Sequence, residues 1–326
     1  MSAAPLTLLP VEGIGEVRPG ADLAGQVRAA ADLRDGDVLV VTSKVVSKAE
    51  GRIVTGGKAA ALAGETDRVL ARRGDTAIVR TRHGLVMANA GIDASNTEPG
   101  TLVLLPVDPD GSARSLREAL SAAGNVAVLV TDTAGRAWRN GQTDIAVGAA
   151  GIDPLHDYAG RTDGYGNELA VTAPAVADEI AAAADLVKGK LAGVPAALVR
   201  GLGHLVLPAG DHGPGAVALV RPESGDLFGL GAREAVLHAA HGTGQRGFGG
   251  PCASTELAVV LRGLGAAVRE DGAVVEAALP AATERETGRL EARLEAVGLA
   301  HGWAAAGPVG SDGVLRFVPG LTYTSR

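Results

Sequence analysis

Residues 126–135 read Val-Ala-Val-Leu-Val-Thr-Asp-Thr-Ala-Gly, and this stretch decides the fold class. Its first six residues are mostly β-branched and apolar, which predicts a buried strand. A second run of this kind, Val38–Val41, comes earlier in the chain and ends in Thr42, Ser43 and Lys44. Helical patterns lie before and between these strands, so the sequence predicts a mixed α/β (α+β) fold.

The same periodicities predict further elements along the chain. Helices are expected at residues 21–33, 60–73, 112–123, 174–190, 232–240, 254–264 and 283–297, and strands at 76–80, 102–107, 196–200, 273–279 and 314–318. The stretch Arg136–Thr172 has no clean period and is predicted to be a long functional loop. A glycine-rich linker, Gly242–Pro251, separates two predicted domains, residues 1–247 and a small α/β extension at 252–326.

Composition excludes several classes of protein. The 326 residues carry a net charge of −7 and include only two Trp, three Tyr and three Phe, which argues against a nucleic-acid partner. The one cysteine, Cys252, cannot form an internal disulfide. Apolar runs are too short to cross a bilayer and the N-terminal residues lack a signal-peptide pattern, so we expect no membrane association and a cytoplasmic location.

The strongest candidate site follows the strand at 126–131. Asp132 stands at the strand end, where its oxygens can bind Mg²⁺ or Mn²⁺, and the Thr133 hydroxyl can add a ligand. Arg136 and Arg139 can neutralise a phosphate or bind a carboxylate. These residue types together suit phosphoryl transfer, and a structural ion-pair cluster is the alternative.

Two weaker candidates lie upstream. Ser43 and Lys44, at the end of the Val38–Val41 strand, offer a hydroxyl and a point charge to a phosphate, or form a solvated strand end. Asp93, within Gly-Ile-Asp-Ala-Ser-Asn at 91–96, suits a hard cation and a nucleotide, although these residue types also form ordinary turns.

Several familiar signatures do not occur in the sequence. It contains no GxxxxGK[ST], no GxGxxG after a first strand and no HExxH, and Ser224 lies outside any GxSxG pattern. The sequence therefore argues against a Walker-type nucleotidase, a dinucleotide dehydrogenase, a zinc hydrolase and an α/β-hydrolase.

Five strings, in order, resemble the coenzyme F420-0:L-glutamate ligase (F420 gamma-glutamyl ligase) family. They are LLPVEGIGEVRPG (8–20), GDVLVVTSKVVSKAEGR (36–52), AGIDASN (90–96), TDTAGRAWRNGQTDIAVGAAGI (131–152) and GNELAVTAPAVADEIAAAADLVKGK (166–190). The resemblance implies a GTP-dependent ligase that adds L-glutamate to the carboxylate of coenzyme F420-0, and γ-linked glutamate to F420-1. The carboxylate would first become an acyl phosphate, which the glutamate amine then attacks.

The resemblance also implies site residues, and it implies metal ligation by Asp93, Asp132 and Thr133. The residues that it implies to contact GTP are Ile14, Gly15, Glu16, Val17, Ser43, Lys48, Asn96, Lys188 and Gly189. It implies Mg²⁺ or Mn²⁺, leaves a K⁺ requirement open, and implies a homodimer of intertwined protomers. Arg136 and Arg139 are assigned catalytic contacts from their charge alone.

Two departures and two alternatives accompany this interpretation. Lys190 stands where some relatives carry a glutamine that contacts a second metal, and residues 252–326 are too few for the nitroreductase-like domain of some actinobacterial relatives. The alternatives are a non-catalytic carrier that binds a deazaflavin or nucleotide, and an amide ligase acting on another cofactor carboxylate.

Overall fold

The computed structural model describes residues 5–95, 97–169, 172–222, 226 and 228–320. The chain divides into two compact units, Met1–Val220 and Arg221–Arg326. Both units mix helices with sheets, so the predicted mixed α/β class is confirmed.

In the first unit, the helices are α1 (Leu23–Ala30), α2 (Ser43–Ala49), α3 (Lys58–Glu65), α4 (Pro109–Leu120) and α5 (Val176–Lys188). The strands are β1 (Thr7–Val11), β2 (Val38–Thr42), β3 (Ile53–Thr55), β4 (Thr66–Arg73), β5 (Thr76–Thr81), β6 (Val86–Ala88), β7 (Thr101–Val103), β8 (Ala127–Arg136), β9 (Arg139–Ala150), β10 (Arg161–Thr162), β11 (Glu168–Leu169) and β12 (Ala196–Arg200).

A five-stranded sheet forms the centre of this unit, in the order β1-β12-β2-β8-β9. Strands β2 and β8 pair in parallel and the other neighbours are antiparallel. One face packs against α1 and α4 and the other against α5, so β2 and β8 are buried on both faces. Burial on both faces explains why these two strands read as continuous apolar runs.

The stretch 136–172 differs most from the sequence prediction. Residues 139–150 form β9, which pairs with β8 as a long hairpin, and β10 and β11 form a second, short hairpin. The first half of β9 is polar and largely exposed, whereas its second half carries Ala and Gly in the sheet, so no single period marks the strand. Gly148 allows close packing, since a Cβ there would clash with the Pro109 carbonyl oxygen.

Two other predicted elements change type or length. The predicted helix 60–73 ends at Glu65, and Thr66–Arg73 pairs with β5 as strand β4. The predicted strand 102–107 shortens to β7, which pairs with β3 over three residues. The remaining predicted helices and strands exist, with ends shifted by a few residues.

The described residues of the second unit form a four-stranded antiparallel sheet and three α-helices. Its elements are α6 (Ala232–His241), α7 (Ser254–Gly263), β13 (Ala267–Asp271), β14 (Val274–Ala278), α8 (Glu284–Ala300), β15 (Trp303–Ala305) and β16 (Val314–Pro319), and the sheet order is β13-β14-β16-β15. Leu257, Leu294 and Phe317 lie in its core. Helix α8 begins with a capping box between Thr283 and Glu286.

The boundary between the units falls earlier than the sequence prediction placed it. The division lies after Val220, whereas the predicted domains met at residues 247–252. Helix α6 packs on α8, so residues 232–241 fold with the second unit. Glycines between 242 and 251 do not mark a domain linker. Among the described residues, no helix is both long and apolar enough to cross a membrane.

Candidate active site

A cleft of about 780 Å³ opens at the ends of β2 and β8 in the first unit. The carboxyl ends of parallel strands share one edge of a sheet, where α/β folds place their ligands. Residues after each strand therefore meet here, together with the loop that follows β1, the segment around Asp93 and the end of α5.

Most predicted site residues lie together in this cleft. Its wall contains Ile14, Gly15, Glu16, Val17, Ser43, Lys48, Asp93, Asp132, Thr133, Lys188 and Gly189. Asn96 lies outside the described residues. The structure does not bring Arg136 and Arg139 into the cleft. Both are exposed at the tip of the β8–β9 hairpin, where Arg136 donates to the Asn140 carbonyl oxygen at 2.7 Å.

Asp132 is the most perturbed carboxyl group of the cleft. Burial raises its pKa to about 7, and the neighbouring carboxylates of Asp144 and Asp93 act in the same direction. Hydrogen bonds from the Thr133 backbone and from the Ser43 hydroxyl, which lies 3.3 Å away, oppose the rise. A bound cation would instead favour the charged form of Asp132.

The loop before Asp93 brings its backbone close to Asp132. Asn89, Ala90 and Gly91 have positive φ angles of 50°, 56° and 68°. A Cβ at Gly91 would lie 3.1 Å from Asp132 Oδ2. Three left-handed residues in a row are uncommon, and two of them are not glycine. The sequence offered no signal for this strained turn.

Asp93 is already paired in the structure. Lys44 Nζ lies 2.6 Å from Asp93 Oδ2 and also donates to Ser95. Burial favours the neutral carboxyl, but the hydrogen bonds from Lys44 and Ser95 outweigh it and hold the pKa of Asp93 below its usual value. Lys44 is predicted to contact a phosphate, but in the structure it forms an ion pair with Asp93, a candidate metal ligand.

A buried ion pair forms part of the same wall. Lys188 Nζ lies 2.7 Å from Asp144 Oδ2, and both side chains are almost fully buried. The hydroxyls of Thr131 and Thr133 donate to the two oxygens of Asp144, at 3.0 and 2.9 Å. Sequence analysis does not single out Asp144, because the stretch 136–172 has no clean period and is predicted to be a loop. Pairing of β8 with β9 sets it opposite Thr133.

Two further lysines line the cleft. Lys48 Nζ lies 2.7 Å from Glu16 Oε1, and this hydrogen bond lowers the pKa of Glu16. Lys190 is exposed on the wall. A protonated ammonium has no lone pair, so Lys190 offers no ligand to a second metal at that position.

The donor set fits Mg²⁺ or Mn²⁺ better than a softer metal such as Zn²⁺ or Cu²⁺. Among the described residues, no three His, Cys, Asp or Glu side chains gather as a metal site. The predicted ligands Asp93, Asp132 and Thr133 instead offer two carboxylates and one hydroxyl, all oxygen donors. Mg²⁺ is commonly held by one or two carboxylates and completes its shell with water and substrate phosphates. The residues present thus fit such an ion beside a nucleotide.

Comparisons with known proteins show the family of this chain. The family described as F420-0:Gamma-glutamyl ligase matches residues 13–61 and 56–201. A "Coenzyme F420:L-glutamate ligase" of Methanothermobacter thermautotrophicus is 40% identical over 253 residues, 68% of this chain and 98% of the relative. Proteins of the same name from Archaeoglobus fulgidus and Methanopyrus kandleri are 44% identical over 218 residues (60% of this chain, 87% of theirs) and 39% identical over 246 residues (68% and 97%). The matched segments contain every cleft residue described above, and this chain belongs to the F420-0:gamma-glutamyl ligase family of ligases.

Proposed function

We propose that this protein joins L-glutamate to the carboxylate of coenzyme F420-0, and γ-linked glutamate to F420-1, at the expense of GTP. The names of its relatives support the acceptor and the amino acid. The cleft supports the phosphoryl-transfer part, because it combines carboxylates for a divalent cation with lysines for phosphates.

The observation that carries the proposal is the meeting of Asp93, Asp132 and Thr133 in one cleft with Lys44 and Lys48. Asp93 and Thr133 are 40 positions apart in the chain, and only the fold brings them together. A protein that merely carried a deazaflavin would not need this arrangement of oxygen ligands and ammonium groups.

The reaction needs two displacements that conserve all atoms. An oxygen of the F420-0 carboxylate bonds to the γ-phosphorus of GTP while the bond to the β–γ bridging oxygen breaks, which releases GDP. The nitrogen of the neutral glutamate amine then bonds to the acyl carbon while the bond from that carbon to the phosphate oxygen breaks, and the proton lost from nitrogen leaves with the phosphate as inorganic phosphate. Both displacements depend on alignment and on neutralising phosphate charge.

The chain's own residues supply alignment and charge. Asp93, Asp132 and Thr133 would hold Mg²⁺ or Mn²⁺, which when bound neutralises phosphate charge and orients the transferred group. Lys48 lies on α2, whose first turn lines the cleft, and its ammonium is kept there by Glu16. Lys44 can exchange Asp93 for a phosphate oxygen when a cation takes over that carboxylate.

The test is a mass spectrum of F420-0 after incubation with the protein, GTP, L-glutamate and Mn²⁺. We expect glutamyl additions that require GTP. Asp132→Asn should abolish them, whereas Asp75→Asn, the same change at an exposed turn, should not. GTP binding without any mass shift would favour the carrier, and a shift on another carboxylate substrate would favour the alternative ligase.

We also propose that the working form is a homodimer. Trp138, Tyr165 and Leu191 are 87%, 95% and 98% exposed in one chain, and a second copy would remove this apolar surface from water. Trp138 stands between Arg136 and Arg139, so a second copy would also cover these arginines. Light scattering should give twice the chain mass of 32.5 kDa. A mass of one chain at assay concentration would contradict the dimer.

A further inference from the structure

The Lys188–Asp144 pair is the most deeply buried ion pair on the cleft wall. The two side chains are 2% and 4% exposed, and their charged atoms lie 2.7 Å apart. Burying two charges removes them from water, and an apolar pair of similar volume often stabilises a fold equally well or better. Stability alone therefore does not account for this pair.

Its hydrogen bonds connect it to the candidate metal site. One oxygen of Asp144 accepts from Thr133 and the other from Thr131 and Lys188. Lys188 Nζ also donates to Thr131 Oγ1 at 3.1 Å. Asp144 thus holds the hydroxyls on both sides of Asp132 in β8.

The direction of the Thr133 hydrogen bond has a chemical consequence. A hydroxyl has one hydrogen and two lone pairs, and the hydrogen of Thr133 points to Asp144. The lone pairs are left for a cation in the cleft. Without an acceptor behind it, the hydroxyl could turn its hydrogen into the cleft and oppose a cation.

Lys188 allows Asp144 this role while offsetting the negative charge that Asp144 brings to the site. Its ammonium neutralises Asp144, and the ammonium is too deeply buried to reach a nucleotide while that pair persists. Asp93 and Asp132 then remain the carboxylates that face a cation. Groups that orient metal ligands in this way commonly change metal affinity or activity 10- to 100-fold when removed.

We propose that Asp144, neutralised by Lys188, is a positioning residue that orients the Thr133 hydroxyl toward the divalent cation. This inference rests on the proposed function, because it assumes that the cleft holds that cation. It gives the Lys188 side chain a task different from the nucleotide contact that the sequence predicts.

Two double variants separate the hydrogen-bond acceptor at residue 144 from the charges of Asp144 and Lys188. Lys188→Met with Asp144→Asn removes both charges but keeps an oxygen that accepts from Thr133. Lys188→Met with Asp144→Leu removes both charges and the acceptor, with nearly the same side-chain volume. The assay measures Mn²⁺ binding in the absence of nucleotide from the EPR signal of free Mn²⁺. It compares both double variants with the wild-type protein, and circular dichroism checks that each variant is folded.

We expect the Asn double variant to bind Mn²⁺ within threefold of wild type, and the Leu double variant about 10- to 100-fold more weakly. Equal affinity in the two variants would overturn the inference while leaving the proposed function intact. A wild-type protein that binds Mn²⁺ but adds no glutamate would instead overturn the proposed function. If the Leu variant does not fold, Thr133→Val against Thr133→Ser tests the same hydroxyl, and equal Mn²⁺ affinity there would again refute it.

Discussion

The raised pKa of Asp132 predicts that metal binding depends on pH near neutrality. A cation and a proton compete for the same carboxylate, because a ligand must be deprotonated to bind. With a pKa of about 7, Asp132 is protonated at pH 6 and ionised at pH 8. The pKa of Asp93 is held low by Lys44 and Ser95, so Asp93 stays ionised throughout.

The expected magnitude follows from this competition. Apparent Mn²⁺ affinity should rise about tenfold between pH 6 and pH 8, because the ionised fraction of Asp132 rises by about that factor. The assay is Mn²⁺ binding by EPR at pH 6, 7 and 8 without nucleotide. The Asp132→Asn variant should bind Mn²⁺ weakly at each pH, and its affinity should not change with pH. A flat wild-type profile would refute the reasoning.

The same shift predicts how the stability of the metal-free protein changes. The folded-state pKa lies above the ordinary value of 3.8, so the folded chain binds more protons between pH 4 and pH 7. Stability should therefore fall as the pH rises through this window, by up to about 4 kcal/mol from this group. Urea titrations in EDTA at pH 5 and pH 8 measure it. Asp132→Asn should flatten the difference, and an unchanged difference in that variant would assign it to other groups.

Three further substitutions test neighbouring features. Gly91→Ala places a Cβ at a φ of 68° and 3.1 Å from Asp132 Oδ2. The affinity for Mn²⁺ should therefore fall, and the free energy of unfolding should decrease by about 1–2 kcal/mol. Wild-type values of both, measured by EPR and calorimetry, would contradict this. Gly148→Ala meets the Pro109 carbonyl oxygen and should lower the melting temperature by several degrees, which unchanged thermal melts would disprove. If Arg139 binds a substrate carboxylate, Arg139→Ala should raise the KM for F420-0 or glutamate and leave Mn²⁺ affinity unchanged, and an unaltered KM would remove it from the site.

Strands β2 and β8 could be predicted because their signal is local. Each strand is a run of apolar residues, because both of its faces are buried. The polar residues that follow each run line the cleft. Asp132, Thr133 and Ser43 could therefore be singled out from sequence. Family resemblance added the loop after β1, and it favoured the metal interpretation of Asp93, whose neighbours are also ordinary turn formers.

Strand β9 escaped prediction because its surroundings change along its length. Residues near Arg139 project beyond the sheet and are exposed, whereas those near Ala150 are buried. Neither a period of two nor a continuous apolar run then describes the whole strand. Asp144 could not be identified as a site residue for the same reason, because only the pairing of β9 with β8 places it opposite Thr133.

Charge alone placed Arg136 and Arg139 near the phosphates, and the fold places them elsewhere in one protomer. The hairpin turn carries them past the end of the cleft, while lysines from two distant helices line its wall. Lys188 on α5 is an example of such distant contacts, because its partner Asp144 lies 44 positions earlier in the chain, on strand β9. Positive charge at this site is therefore set by how α2 and α5 pack around β2 and β8, and proximity in sequence to Asp132 is a poor guide to it.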